Sequence, residues 1–242
     1  MPALIDSGQA MIMRETALNY LMRDYLLHVD MIECIRRDIC RIAYAGENGV
    51  LLQVDGGTGA MLSCESTEFA LSLPKIGEYA LLVLHQTAHR EKFCRRFGYQ
   101  AGKECWQGAY TKSTPLEEQS ADIRRLDMRF LDTVTEVYGM HDREYMRYLI
   151  EEGVMFGVFD GGQLAGFIGR HAEGSIGLLE VLPEFRRRGY AEALERRYVN
   201  MELEKGHVPY GQVYVGNQIS RHLQEKLGME FSDGHLCWLW RD

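Results

Sequence analysis

Short apolar runs broken by glycine turns dominate the second half of the chain. They are Val154 to Phe159 (VMFGVF), Leu164 to Gly169 after Gly161-Gly162, and Ser175 to Val181 after a further glycine-containing turn. This spacing predicts three antiparallel strands, the first two forming a hairpin. Upstream, Ile123-Arg-Arg-Leu126 reads as a short strand and Met128 to Glu151 as a helical stretch. Beyond Pro183 the period lengthens: Tyr190, Leu194, Tyr198 and Met201 recur at helical spacing and Gly206 ends the run, so an amphipathic helix is expected to begin near Arg187. Tyr210 to Val215 is a strand, Ile219, Leu223 and Leu227 mark another helix capped by Gly228, and a final strand pair ends at Trp240. The class is mixed α/β (α+β), with a largely antiparallel sheet flanked by helices.

In the first half, Gly49 to Val54 and Ala60 to Ser63 flank a GGTG turn and predict a hairpin. Leu82-Val-Leu-His-Gln, helix positions His89, Phe93 and Phe97, then Gly98-Tyr99 and Trp106 parallel Val213-Tyr-Val, Ile219, Leu223, Leu227-Gly228-Met229 and Trp238. The offset is 130 residues from Val83 through Gly98, which suggests an internal repeat; two unrelated amphipathic helices ending in glycine would also match. Residues 111–120 (TKSTPLEEQS) are polar and contain a proline. The expected division is 1–112, a smaller degenerate copy, 113–120, a linker, and 121–242, the complete domain.

With 46% hydrophobic and 26% charged residues, a packed core rather than a disordered chain is expected. The net charge of −8 disfavours nucleic acid and anionic membrane as partners and suits a cationic substrate such as an amine. Six cysteines without CxxC pairs read as buried residues in a reducing compartment, and the opening MPALIDSGQAMIMRE lacks the pattern of a secretory signal, so a cytoplasmic location is expected. Oligomeric state is left open. His85-Gln-Thr-Ala-His89 superficially resembles a zinc helix, but Gln86 replaces the general-base glutamate and no third ligand is evident, so no metal is assigned. Tyr20, Tyr25, His28, Trp238 and Trp240 are expected to fill cores.

The segment Val181-Leu-Pro-Glu-Phe-Arg-Arg-Arg-Gly-Tyr-Ala191 joins a strand to a helix, and its last six residues fit [QR]-x-x-G-x-[GA]. Backbone N–H groups in such a loop and first helical turn have no intrahelical acceptor and can converge on a pyrophosphate, aided by the helix dipole. Gly189 and Ala191 keep side chains clear, and Arg186, Arg187 and Arg188 place positive charge at a helix end that ordinarily repels it, which argues for an anion. A solvated basic helix start with a packing glycine is the alternative. Nothing in the first half matches this loop.

Leu178 to Leu194 resembles the acetyl-CoA-binding motif of the GNAT superfamily of N-acetyltransferases, and Val215 to Gly228 is similar to that family's second motif. The likeness covers about residues 121–242. It implies acetyl-CoA (coenzyme A) as cofactor, with the backbone of Leu179, Val181 and Leu182 along the pantetheine arm and the amides of Arg186, Arg187, Arg188, Gly189, Tyr190 and Ala191 on the pyrophosphate. It also places Asn217 and Ser220 beside the cofactor, although Asn217 suits a helix cap equally well. Many members carry a proton-donating tyrosine where this chain has Gln224; another group such as nearby Tyr214 or water supplies the proton, or the thiolate leaves unprotonated, and no general acid is assigned. The plan of a degenerate half before a complete one is similar to glycine N-acyltransferase-like members.

Attack of an amine on a thioester needs a general base. Glu180, alternating with Ile176 and Leu178 on one strand face, is the candidate, unless it lies at an exposed strand end or pairs with an arginine. The backbone N–H of Val181 is a candidate oxyanion donor. The expected reaction is direct transfer of acetyl from acetyl-CoA to the primary amine of a small molecule. The competing readings are a non-catalytic acyl-CoA sensor or interaction module, and an enzyme that acetylates a protein lysine or amino terminus.

Overall fold

The structure is a computed structural model that describes residues 7–241, so residues 1–6 of the amino-terminal reading lie outside the described residues. Two helices, α1 (Ser7–Leu21) and α2 (Val29–Arg36), precede β1 (Arg41–Gly46), β2 (Gly49–Val54) and β3 (Gly59–Cys64). Then come α3 (Thr67–Ser72), β4 (Leu81–Leu84), α4 (Arg90–Phe97) and β5 (Gln100–Ala109). The second half runs β6 (Asp122–Arg125), α5 (Leu131–Tyr138), α6 (Arg143–Glu151), β7 (Phe156–Asp160), β8 (Gln163–Arg170) and β9 (Ile176–Val181). It ends with α7 (Tyr190–Glu204), β10 (Tyr210–Tyr214), α8 (Gln218–Lys226) and β11 (Glu230–Trp240). The mixed α/β class is as expected. Among the described residues no helix is long and apolar enough to cross a membrane.

The chain forms two compact units: the first gathers residues up to Ala109 with Val213–Gln218 and everything from Glu230, the second Tyr110–Gln212 with Ile219–Met229. In the first, β1, β2 and β3 are antiparallel, β3 and β4 parallel, and β11 lies antiparallel between β4 and β5. Alternation along these strands explains two cores. Val50, Leu52, Val54, Met61 and Val83 pack with Leu21, Met31 and Ile35 of α1 and α2, while Leu51, Ala60, Leu62, Leu82 and Leu84 pack with Ala70 and Phe93 of α3 and α4. Tyr20 and Trp238 join the first core as expected. Trp240 does not: it is 39% exposed, with its ring over Gly102, because it comes at the strand's last position.

His85 and His89 serve this interior. The His85 ring meets the carboxylate of Asp30 at 2.9 Å, both fully enclosed, and His89 contacts the Cys64 carbonyl at 2.6 Å and the Thr67 hydroxyl at 2.7 Å. His28 is also buried and contacts the Ser63 hydroxyl at 2.8 Å. The two segments that share the 130-residue offset fold alike: α4 ends on left-handed Gly98 (φ 73°) before β5, and α8 is followed by left-handed Gly228 (φ 86°) before β11.

In the second unit β6, β7, β8 and β9 form an antiparallel meander, with β10 parallel to β9. Gly161 and Gly162 both have positive φ (56° and 84°), the requirement of the tight turn between β7 and β8. One face buries Phe159, Leu164 and Phe167 against Leu131 and Val134 of α5 and Met146, Leu149 and Ile150 of α6. α7 covers strands as well: Tyr198 sets its ring edge-on to Phe156 and donates its hydroxyl to the Val154 carbonyl at 2.8 Å. The polar segment after Tyr110 is strapped to α7, since Asn200 accepts from the Leu116 N–H and donates to its carbonyl, at 2.7 and 2.8 Å.

Three expectations are corrected. The stretch Met128–Glu151 is two helices, because Gly139 turns left-handed (φ 64°) after α5 and Asp142 opens α6 by accepting from the Tyr145 N–H. The final strand pair is one strand, β11, with irregular register between Phe231 and His235. Finally, α7 starts at Tyr190 rather than near Arg187, because Pro183–Phe185 form a 3₁₀ turn and both Arg187 and Gly189 have positive φ (63° and 84°).

Candidate active site

Strand β9 is bent at Leu178. Phe167 of β8 faces Glu180 and Gly169 faces Gly177, so the single residue Ile168 lies opposite two, Leu178 and Leu179. This is a β-bulge, and Leu178 adopts the left-handed conformation (φ 56°) that leucine seldom takes. The bulge reverses the phase of the strand. Glu180 lies on the face of Phe167, towards α5 and α6, while Ile176 lies on the other, which corrects the expected row of Ile176, Leu178 and Glu180. The Leu182 N–H donates to Ala165 of β8 at 2.9 Å, so by alternation the N–H and carbonyl of Val181 point away from β8. On that other side β9 is paired with β10 at Gly211 and Ile176, before the bulge.

The loop after β9 ends at a helix start with no side chain on its free amides. Gly189, the residue before α7, contributes none, and the first intrahelical bond is donated by Ala193 to the Gly189 carbonyl at 3.0 Å. α3, the corresponding helix after β3, is different: the Ser66 hydroxyl accepts from the Phe69 N–H and closes that end. Two arginines brace the loop. Arg186 donates from Nε to the Val181 carbonyl at 3.0 Å, and Arg188 pairs with Asp160 at 2.6 Å while donating to the Glu184 carbonyl. The Arg186 N–H itself turns back to the Pro183 carbonyl, so the amides open to an anion begin at Arg187.

Residues 153–239 match the model of the family described as FR47-like protein. Solved structures share the architecture at low identity. A Drosophila protein is 15% identical over 98% of this chain and 97% of its own, with a TM-score of 0.68. A GCN5-related N-acetyltransferase-like protein from Streptococcus suis is 17% identical over 95% and 100%, at 0.56, and a GCN5-related N-acetyltransferase from Kribbella flavida 14% identical over 97% and 96%, at 0.54. The fold is that of the GNAT superfamily.

Within this GNAT fold the residues singled out from the sequence fall into two groups. Leu179 to Leu182, Arg186 to Ala191 and half-buried Ser220 belong to the second unit, whereas Tyr214 and Asn217 belong to the first. Tyr214 ends β10, with the Lys103 ammonium 5.5 Å from its ring centre, and burial raises its phenol above the ordinary value. Burial likewise lifts the Glu180 carboxyl above the usual carboxylate range, opposed by the charge of Arg186. Gln224 is buried, as is Glu195, its hydrogen-bond partner on α7.

Sequence reasoning missed a cluster on the Glu180 face. Tyr138 stacks on His141, whose ring centre lies 5.5 Å from that of His171, and the Tyr145 hydroxyl is 3.1 Å from Nδ1 of His171. Burial holds both imidazoles at about 4, so they are neutral at physiological pH. Two acidic residues of this helical stretch are paired with arginines, Asp132 with Arg143 and Glu144 with Arg147. The break after Gly139, which brings His141 between the helices, was the one signal available.

Proposed function

We propose that the chain is an acetyl-CoA-dependent N-acetyltransferase that acetylates the primary amine of a small molecule. The observation that carries this reading is the bulge at Leu178 next to the uncapped start of α7. Together they supply an outward-facing strand edge for a thioester arm and a ring of free amides for its phosphates, supported by the GNAT fold.

When bound, acetyl-CoA brings an activated acyl group that an amine can attack directly. The amides from Arg187 to Ala191 bind the pyrophosphate, and the edge of Leu179 to Leu182 orients the arm. Glu180 takes the proton released by the attacking amine, and its raised carboxyl makes it a better base than an exposed glutamate. The Val181 N–H, pointing away from β8, meets the oxyanion. The imidazoles of His141 and His171 and the rings of Tyr138 and Tyr145 line the acceptor's approach without competing positive charge.

The division proposed for the chain is a degenerate copy over 1–112 and a complete one over 121–242, with Ser66 closing the helix end that α7 leaves open. A second reading, an acyl-CoA sensor without turnover, draws support from Gln224, whose amide is no acid. Incubation with acetyl-CoA and a library of primary amines, followed by mass spectrometry, separates the two. Acetylated amines are expected; intact acetyl-CoA with no acetylated amine would leave the sensor.

A further inference from the structure

Across the gap between α7 and α8, two acidic residues one helical turn apart on α7 have opposite environments. Glu192 is fully compensated: Lys226 of α8 reaches one oxygen at 2.6 Å and Arg196 the other at 2.8 Å. Among the described residues no cation pairs with Glu195, on the same face of α7. It is 3% exposed, its partner is the amide of Gln224 (7% exposed), and among the described residues neither its Oε2 nor Oε1 of Gln224 has a hydrogen-bond partner. Buried polar atoms are nearly always satisfied, so an orphan pair of this kind calls for a group that arrives later.

We propose that Glu195, positioned by Gln224, donates the proton that the departing thiolate of coenzyme A takes up. The inference rests on the acetyltransferase reading above and supplies the acid that reading lacks. Burial pushes the Glu195 carboxyl up to about 8, so the acid form prevails at neutral pH. With the Gln224 amide bonded to one oxygen, the proton sits on Oε2, which is buried and has no partner among the described residues. A thiolate, being charged, is a stronger acceptor for it than the amide oxygen of Gln224. In the balanced step the amine nitrogen bonds to the thioester carbonyl carbon and loses a proton to Glu180. The carbon–sulfur bond then breaks, its electron pair stays on sulfur, and the Glu195 proton moves to that sulfur. Glu180 ends protonated and Glu195 ionised, and exchange with solvent restores both. The position lies on α7 six residues past Gly189, roughly 9 Å along the axis from the open helix start at about 1.5 Å per residue.

The test uses Glu195→Gln and Glu195→Asp in the full chain. The near-isosteric glutamine is expected to keep the thermal protection given by acetyl-CoA and its KM, lose about 100-fold or more in kcat, and lack the alkaline fall of kcat expected of the wild type near pH 8. The aspartate variant, which retains an acid, is expected to keep that limb. Carbon-13 NMR of the free protein should show a Glu195 carboxyl still protonated at pH 7. Unchanged kcat in Glu195→Gln, an unaltered alkaline limb, or a carboxylate already ionised at pH 6 overturns the proposal while leaving the acetyltransferase reading intact. A wild type that neither binds acetyl-CoA nor forms product overturns both.

Discussion

The His171 imidazole lies over Gly177, its Nε2 2.8 Å from the point where a β carbon on residue 177 would sit. Gly177 lies one residue before the bulge at Leu178, so any side chain there displaces the ring from its contact with Tyr145. Gly177→Ala is expected to cost about 1–3 kcal/mol, the usual cost of overpacking. It should also raise KM for the acceptor amine, with acetyl-CoA protection unchanged. Denaturant unfolding and steady-state kinetics measure both; an alanine variant with wild-type stability and KM would show that the imidazole has room to move.

The two depressed histidines make the second unit acid-sensitive. Above about pH 6.5, the ordinary histidine value, His141 and His171 are neutral in both folded and unfolded chains. Below it the unfolded chain takes up protons first, because the folded rings hold out to about 4. Stability is therefore fully present above 6.5 and lost progressively as pH falls towards 4, by on the order of 3 kcal/mol for one such ring. Their mutual proximity prevents simple addition. Urea midpoints at pH 7 and pH 4.5 should drop steeply for the wild type and less for His171→Gln; equal slopes would remove His171 from the account.

Gly189 has positive φ, and a β carbon there would meet only the Gln119 amide oxygen at an ordinary 3.7 Å, so conformation rather than space excludes other residues. Gly189→Glu adds negative charge where phosphates are expected. At about a hundred times the dissociation constant, acetyl-CoA should stabilise the wild type by about 2.7 kcal/mol, or roughly 5–10 °C for a chain of this size. The variant should show no shift. A comparable shift in both proteins would place the phosphates elsewhere.

Much of this arrangement is written in local sequence. Gly161-Gly162, Gly98 and Gly228 mark positions that need left-handed backbone, and Arg186 to Ala191 betray a loop whose charges oppose a helix dipole. The bulge is invisible because leucine at 178 carries no signal of positive φ; the surrounding pairing imposes it. That hidden phase change also turned Glu180 to the opposite face from Ile176. His171 and Gly177 meet only through the β8–β9 hairpin, and Glu195, read along the helix, is just another charged residue until α8 buries it.

Glu180 is expected to act as a base, so turnover should need its carboxylate. As pH falls through its raised pKa the rate should fall with it, at a pH above that of an ordinary glutamate. Glu180→Gln should lose about 100-fold or more in kcat, and its residual activity should lack the acid limb, while acetyl-CoA still raises the melting temperature. Turnover unchanged across the pH range would assign the base elsewhere, with His171 the next group to test.

The bulge itself can be tested through an inverted order of stabilities. Leu178 is 2% exposed in the core shared with α5 and α6, so truncation to alanine should cost about 2–5 kcal/mol. In an ordinary strand glycine is worse than alanine by roughly 0.5–1 kcal/mol, because it loses more backbone freedom on folding. Here alanine retains the penalty of a left-handed residue, about 1–2 kcal/mol, and glycine does not. Leu178→Gly should therefore be at least as stable as Leu178→Ala despite its smaller side chain, when the two are compared by denaturant unfolding. A glycine variant weaker than the alanine variant by the ordinary margin would mean that residue 178 relaxes to extended backbone without strain.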